Sequence, residues 1–200
     1  MVNRSVLEVR IHGRGGQGVV TAAELLSVAA FTEGRHAQAF PSFGSERTGA
    51  PVVAFCRIAD ATIRTREPIV APGALIVQDA TLLHQVDVFA GLKPEGYLLV
   101  NSARGFDELG LGEFVCGRRD RMLVVPATDL ALEHLGRPVP NAALLGGFAA
   151  LTGLVQLRSV IAAIRERFDG PKAEGNIAAA TAAYGFVRAE RKGMAGAQAD

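Results

Sequence analysis

The chain has 200 residues, of which 49% are hydrophobic and 20% charged, a composition typical of one globular domain and not of a disordered protein. Its 21 basic and 20 acidic residues leave a formal net charge of +1, which provides no broad basic face for nucleic acid. No apolar run reaches the roughly 18 residues of a membrane span, and the start lacks a secretory signal pattern. Cys56 and Cys116 are too few to hold an iron–sulfur cluster within this chain, so we expect a cytoplasmic protein with buried, reduced thiols.

The first quarter of the chain begins as an α/β unit. Residues Val6–His12 alternate between apolar and polar side chains, which predicts a strand. A glycine-rich turn follows, and Val19–Thr32 is predicted to form a helix that ends at Gly34. Residues Arg35–Pro51 lack a sustained period, and we predict a long loop with a short strand at its start.

Short apolar segments separated by turns dominate the middle of the chain. They predict strands at Val52–Ile58, Ala74–Val77, Tyr97–Asn101 and Met122–Pro126, and a helix at Leu82–Leu92. Because the three later strands are almost wholly apolar, we expect an interior sheet that is covered on both faces.

The last third of the chain is predicted to be helical. The predicted helices are Leu130–Leu135, Ala142–Leu154, Ser159–Phe168 and Ala173–Glu190, with a break at residues 169–171. The second of these is rich in Gly and Ala, which would permit close backbone approach. We predict one α/β domain over residues 1–190, a three-layer sandwich with a mixed, mostly parallel sheet and a helical C-terminal portion. A flexible tail of residues 191–200 would follow.

The turn after the first strand fits the template G-x-G-x-x-G through Gly13, Gly15 and Gly18. Such a turn presents free backbone N–H groups at a helix N-terminus, where they attract an anion. A dinucleotide site would also need an acidic residue about 20 positions further on, and residues 35–41 contain none. The glycines therefore either bind a phosphate group of a ligand shared with a neighbouring subunit or let the helix pack closely on the strand.

Two stretches of the sequence carry a family resemblance. Ile11–Ala30 (IHGRGGQGVVTAAELLSVAA) and Pro41–Ile58 (PSFGSERTGAPVVAFCRI) resemble the gamma subunit of the 2-oxoacid:acceptor oxidoreductases, a family that includes the pyruvate:ferredoxin type. The pairing of GRGGQG with FGSERTGAPV is more specific than the glycine loop alone. Further matching stretches extend the resemblance over nearly the whole chain, namely Val77–Leu83, Leu98–Arg104, Asn141–Val155 and Lys172–Val187.

The resemblance implies a subunit of a complex that oxidatively decarboxylates a 2-oxoacid to an acyl-CoA. Thiamine diphosphate and Mg²⁺ would be held by alpha-type and beta-type subunits, [4Fe-4S] clusters by a ferredoxin-like delta type, and coenzyme A would be a substrate. This chain would shape the cleft and support assembly without being catalytic alone. Its sequence agrees, because it lacks the Gly-Asp-Gly run of a thiamine site. The nearest match, Asp169-Gly170, is missing the first Gly.

Two segments contain the candidate binding residues, and we predict no catalytic or metal-ligating residue. The candidates are Gly13, Gly15, Gly16, Gln17 and Gly18 in the glycine loop and Ser45, Glu46, Arg47 and Thr48 in the polar loop Ser42–Gly49. The planar guanidinium of Arg47 would pair with a phosphate or carboxylate in a shared cleft, or the loop would have only a structural part in assembly. The four histidines, His12, His36, His84 and His134, are scattered, and we predict surface or helix positions for them.

Two other functions remain open at this stage. One is a stand-alone dehydrogenase of the Rossmann type, which the missing ribose carboxylate disfavours. The other is a pure assembly scaffold whose glycine loop binds nothing.

Overall fold

The computed structural model describes residues 6–42 and 48–197 of the chain. Its strands are β1 (Leu7–Arg14), β2 (His36–Pro41), β3 (Pro51–Ala59), β4 (Ala74–Val77), β5 (Tyr97–Asn101) and β6 (Met122–Val125). Its helices are α1 (Val19–Thr32), α2 (Gly112–Val115), α3 (Ala127–Leu135), α4 (Asn141–Thr152), α5 (Leu157–Arg167) and α6 (Gly170–Ala197). A 3-10 helix spans Ala80–His84.

The six strands form one mixed sheet in the order β2-β3-β1-β4-β5-β6. The pairs β1–β4, β4–β5 and β5–β6 are parallel, and the two pairs that involve β3 are antiparallel. This agrees with the predicted mixed, mostly parallel sheet. The carboxyl ends of β1, β4, β5 and β6 therefore meet at one edge, where ligands of open α/β sheets bind. The glycine loop leaves β1 at that edge.

The sheet is covered on both faces, as its apolar strands predicted. The larger core lies between the sheet and α1, α4, α5 and α6, and it includes Ile11, Ile76 and Leu144. A smaller core on the other face packs Leu75 and Val100 under the 3-10 helix, α2 and the loops beside them. The predicted three-layer sandwich is confirmed, with one thick helical layer and one thin layer.

Helices α4 and α6 pack in close backbone contact through Gly146. A Cβ on Gly146 would lie far inside contact distance of the Ala180 carbonyl oxygen, at a separation that real Cβ atoms do not show. Every residue of α4 from Asn141 to Leu151 is buried. The prediction that small side chains permit close approach here is confirmed.

None of the helices in the described ranges combines the length and the hydropathy that a transmembrane segment needs.

The predicted helix Leu82–Leu92 is wrong. The structure has only the 3-10 helix Ala80–His84 there, which Asp79 caps by accepting a hydrogen bond from the Thr81 N–H. Beyond it, the carbonyl oxygens of Val88 and Ala90 turn towards Arg10 and accept from its Nη2 at 3.0 and 2.6 Å. A buried guanidinium thus takes the carbonyls that a helix would have used.

The short strand predicted at the start of Arg35–Pro51 is present as β2, which pairs along β3 at the sheet edge. Two further predictions need correction. Helix α6 begins at Gly170 because Pro171 is tolerated in a first helical turn, and it continues through residues 191–197. Cys56 is buried, which raises the pKa of its thiol to about 12, but Cys116 is exposed.

Candidate functional site

The glycine loop connects β1 to α1, and its glycines have different roles. A Cβ on Gly13 would collide with the side chain of Val19, so this glycine lets α1 pack on β1. Gly16 and Gly18 have φ angles of 94° and 72°, a left-handed conformation that favours glycine. Gly18 is the N-cap residue of α1 and has no side chain that could accept from the first N–H groups of that helix.

A single carboxylate, that of Asp79, fixes the glycine loop to the end of β4. Its Oδ2 accepts from Arg14 Nε at 3.1 Å and from Gln17 Nε2 at 2.8 Å. Its Oδ1 accepts from the backbone N–H and the hydroxyl of Thr81. Burial alone would raise the pKa of Asp79, but hydrogen bonds from Thr81 and Gln17 and the charge of Arg14 outweigh it and lower that pKa. Asp79 is therefore ionised at neutral pH.

The glycine loop is also bonded to the segment that precedes β3. The Gly15 N–H donates to the Ala50 carbonyl at 2.9 Å, and the Gly49 N–H donates to the Gly15 carbonyl at 3.1 Å. Thr48 forms an isolated parallel bridge with Gly15. The structure thus brings one predicted residue of the polar loop next to the glycine loop. Ser45, Glu46 and Arg47 lie outside the described residues.

A cavity of about 220 Å³ opens beside Gly16 and Gly18. Among the described residues, its lining contains three cationic side chains, those of Arg137, Arg167 and Lys172, and no carboxylate. Within the described parts of the chain, none of these three forms a salt bridge. The other lining residues are Thr21, Leu135, Val139, Asn141, Phe168 and Asn176. We call this cavity the basic pocket.

Two buried asparagines form the inner wall of the basic pocket. Asn141, at the start of α4, donates through Nδ2 to the Gly18 carbonyl at 3.4 Å and accepts the Ala142 N–H at 2.8 Å. Asn176 in α6 donates through Nδ2 to the Lys172 carbonyl at 2.7 Å. The Asn141 bond ties the glycine loop to the start of α4, whereas the Asn176 bond lies within α6.

Sequence reasoning identified one side of this pocket and missed the other. The cations lie in three separate segments: the α3–α4 loop, the end of α5 and the first turn of α6. Lys172 and Asn176 are spaced i, i+4, which places both on one helix face, and this spacing is a local signal that could have pointed to the missed side.

A second polar cluster lies on the thin-layer face of β1. His12 is 7% exposed, so the prediction of a surface or helix position for it is wrong. Burial, with a smaller effect from the charge of Arg10, lowers the pKa of His12 to about 4. Arg57, nearby on β3, pairs with Glu8 at 3.0 Å. His12 is neutral at pH 7, and its Nε2 has no hydrogen-bond partner among residues 6–42 and 48–197.

Within residues 6–42 and 48–197, no three His, Cys, Asp or Glu side chains lie close enough together to hold a metal ion. The topology also separates β2 from β1 by the intervening strand β3. In a dinucleotide-binding Rossmann fold these two strands are neighbours, and the acidic residue for the ribose ends the second one. The site lacks that arrangement.

Comparisons with known proteins identify the family of this chain. Residues 8–186 match the family described as pyruvate ferredoxin/flavodoxin oxidoreductase. The chain is 47% identical over 179 residues to the pyruvate synthase subunit PorC of Methanothermobacter marburgensis, covering 90% of this chain and 96% of that one. It is 48% identical, with the same coverage, to the common subunit gamma of the pyruvate/ketoisovalerate oxidoreductases of Pyrococcus furiosus.

A crystal structure shares the fold. It is the pyruvate oxidoreductase subunit PORC of Thermotoga maritima, which is 35% identical, has a TM-score of 0.76, and matches over 90% of this chain and 96% of its own. The similarity in sequence and in structure thus spans nearly the whole of both proteins. The chain belongs to the pyruvate ferredoxin/flavodoxin oxidoreductase family and, within it, to the gamma subunits.

Proposed function

We propose that this chain, as the gamma subunit of a 2-oxoacid oxidoreductase complex, binds the phosphate groups of coenzyme A in the basic pocket. The observation that carries the proposal is the pocket's charge: within the part of the chain that the structure describes, three cations and no carboxylate lie beside the N-terminus of α1. Family membership gives the reaction class, the oxidation of a 2-oxoacid, and we infer that the acyl group passes to coenzyme A. The polyanionic end of that substrate is the ligand that such a pocket attracts.

The pocket binds anions through two kinds of group. The uncapped N–H groups at the start of α1 carry partial positive charge, which favours an anion by up to about 1 kcal/mol at an exposed helix end. The side chains of Arg137, Arg167 and Lys172 add full charges, and they belong to separate elements that converge on one space. A phosphate group there would contact backbone and side-chain donors together.

The volume of the pocket suits only one end of the substrate. Pockets that enclose a whole drug-sized ligand measure roughly 300–1,000 Å³, and the basic pocket measures about 220 Å³. We infer that it holds the phosphorylated nucleotide end, while the pantetheine arm leaves the chain along the glycine loop. The thiol would then reach a reaction centre formed with other subunits.

The chemistry of the complex would come from groups on those other subunits. Alpha-type, beta-type and delta-type partners would hold thiamine diphosphate with Mg²⁺, which would supply the chemistry for carbon–carbon cleavage, and [4Fe-4S] clusters, which would supply electron transfer. This chain's own part is to bind and orient coenzyme A. Ser45, Glu46, Arg47 and Thr48 stay our candidates for the contact that faces the shared cleft.

The test compares two arginines of the same helix in the assembled complex. Both arginines are exposed, but only Arg167 lines the basic pocket. We expect Arg167→Ala to raise the KM for coenzyme A about tenfold, the loss of one charged contact of roughly 1.4 kcal/mol, with an unchanged KM for the 2-oxoacid. Arg165→Ala is the matched control and should change neither constant.

Two results would overturn the proposal. One is an unchanged KM for coenzyme A in the double variant Arg167→Ala/Lys172→Ala when the complex assembles normally; this result would favour the pure scaffold. The other is nicotinamide nucleotide binding by the isolated chain that the same variant abolishes, which would favour the stand-alone dehydrogenase.

A further inference from the structure

Arg14 lies inside the glycine loop, but its guanidinium binds the protein itself. Nε donates to Asp79 Oδ2 at 3.1 Å, and Nη1 donates to the Gly49 carbonyl at 3.0 Å. Nη2 donates to the side-chain oxygens of Thr81 at 2.6 Å and Gln85 at 2.8 Å. All three nitrogens are engaged by acceptors of the chain, and Arg14 does not line the basic pocket. Its charge therefore organises the loop instead of binding a ligand.

Asp79 connects this arginine to the pocket. Its side chain is 17% exposed, and the same oxygen that accepts from Arg14 also accepts from Gln17 Nε2. Gln17 lies between Gly16 and Gly18, the two glycines of the pocket wall, and its Oε1 accepts the Arg14 N–H at 2.8 Å. The Asp79 carboxylate thus accepts from Arg14, which donates to the Gly49 carbonyl, and from Gln17, which lies between the two pocket glycines.

We propose that Asp79 is a positioning residue that joins the glycine loop and residues 48–50 into one rigid unit and thereby sets the geometry of the basic pocket. Without the carboxylate, Arg14 and Gln17 lose their shared acceptor. The two backbone hydrogen bonds between Gly15 and the segment 49–50 then hold the glycine loop to that segment without the support of the carboxylate. The consequence for coenzyme A rests on the function proposed above; the link between the two segments does not.

The first readout is hydrogen exchange in the full-length chain. The Gly15 and Gly49 amides donate the two bonds between the segments, so their protection reports the link directly. We expect both amides to exchange about tenfold faster in Asp79→Ala, because local opening becomes easier by that factor. Asp120→Asn is the control: it breaks the exposed Asp120–Arg121 pair just before β6, at the opposite edge of the sheet.

The second readout is steady-state kinetics of the complex. We expect Asp79→Ala to raise the KM for coenzyme A about tenfold, with kcat and the KM for the 2-oxoacid within about twofold of the original. Asp79→Glu keeps the charge and should restore most of the affinity, whereas a residue needed only for folding would lower the yield of assembled complex. Gln17→Ala should reproduce a smaller shift in KM if Asp79→Ala does not fold.

The outcomes separate the two proposals. Unchanged exchange of Gly15 and Gly49 in Asp79→Ala, or kinetics equal to those of Asp120→Asn, overturns the positioning role. Faster exchange together with an unaffected KM for coenzyme A in Arg167→Ala supports the link between the segments while refuting the phosphate pocket. Faster exchange with the selective rise in KM supports both.

Discussion

Gly18 and Asn141 are in such close contact that a Cβ on Gly18 would overlap the Asn141 side-chain amide. The two residues are far apart in sequence, at the N-termini of α1 and α4, and Asn141 Nδ2 donates to the Gly18 carbonyl at 3.4 Å. Two helix N-termini thus meet at one wall of the basic pocket. This contact explains why the glycine loop and the Asn-led helix belong to one site.

Gly18→Ala should lower both stability and coenzyme A affinity. The new Cβ would displace Asn141, and a φ of 72° adds left-handed strain of about 1–2 kcal/mol. Gly16→Ala is the control, because its φ is also positive but nothing lies within 4 Å of its Cβ. Urea denaturation of both variants should give a loss at least 1 kcal/mol larger for Gly18→Ala, the usual cost of forcing a buried contact.

A second substitution checks the origin of that difference. Asn141→Ala in the Gly18→Ala background removes the colliding amide and should recover part of the lost stability, so the two effects should not add. Purely additive losses would show that Asn141 is not the group displaced.

The α4–α6 contact makes opposite predictions for two glycines. Gly146→Ala would drive a Cβ into the Ala180 carbonyl and should cost about 1–3 kcal/mol or prevent folding, as overpacking does. Gly185→Ala lies in α6 with open space around its Cβ and should stabilise by about 0.5–1 kcal/mol, the helix-propensity difference. Thermal melting would check both. Equal effects would contradict the packing described for these helices.

His12 should make the stability of the chain pH-dependent. Its pKa falls from 6.5 to about 4 on folding, so the unfolded state binds more protons between these values. Above pH 6.5 the imidazole is neutral in both states and does not lower the free energy of unfolding. As the pH falls towards 4, the unfolded state takes up the proton and the free energy of unfolding decreases. Between pH 7 and 5 we expect a loss on the order of 2 kcal/mol from this residue.

The measurement is chemical denaturation at both pH values. His12→Gln should reduce the pH dependence by that amount, whereas His134→Gln, at an exposed position in α3, should leave it unchanged. A pH dependence in His12→Gln equal to that of the original chain would show that the imidazole is not buried in its neutral form.

The fold could be predicted from the sequence wherever one local pattern dominated. The apolar segments Ala74–Val77 and Tyr97–Asn101 identified interior strands, and the Gly/Ala-rich segment from Ala142 identified a closely packed helix. The failure at Leu82–Leu92 has a long-range cause. Arg10 is buried, and its long-range hydrogen bonds decide the conformation of the chain at Val88 and Ala90.

The candidate site was predictable only in part for a similar reason. The glycine loop is one continuous motif, and its role as the N-terminus of α1 follows from its sequence. The cations of the basic pocket lie in segments that meet only after α3, α5 and α6 have packed. No local spacing relates Arg137 to Gly18, so the charge of the pocket appears only in three dimensions.

The central claim is that this chain holds the phosphorylated end of coenzyme A. The most direct measurement is a crystal or cryo-electron-microscopy structure of the assembled complex with coenzyme A bound. We predict a phosphate oxygen within about 3.2 Å of Lys172 Nζ, an Arg137 or Arg167 guanidinium nitrogen, or an α1 N–H. Coenzyme A bound with every phosphate on other subunits, and the basic pocket filled only by water, would contradict the account.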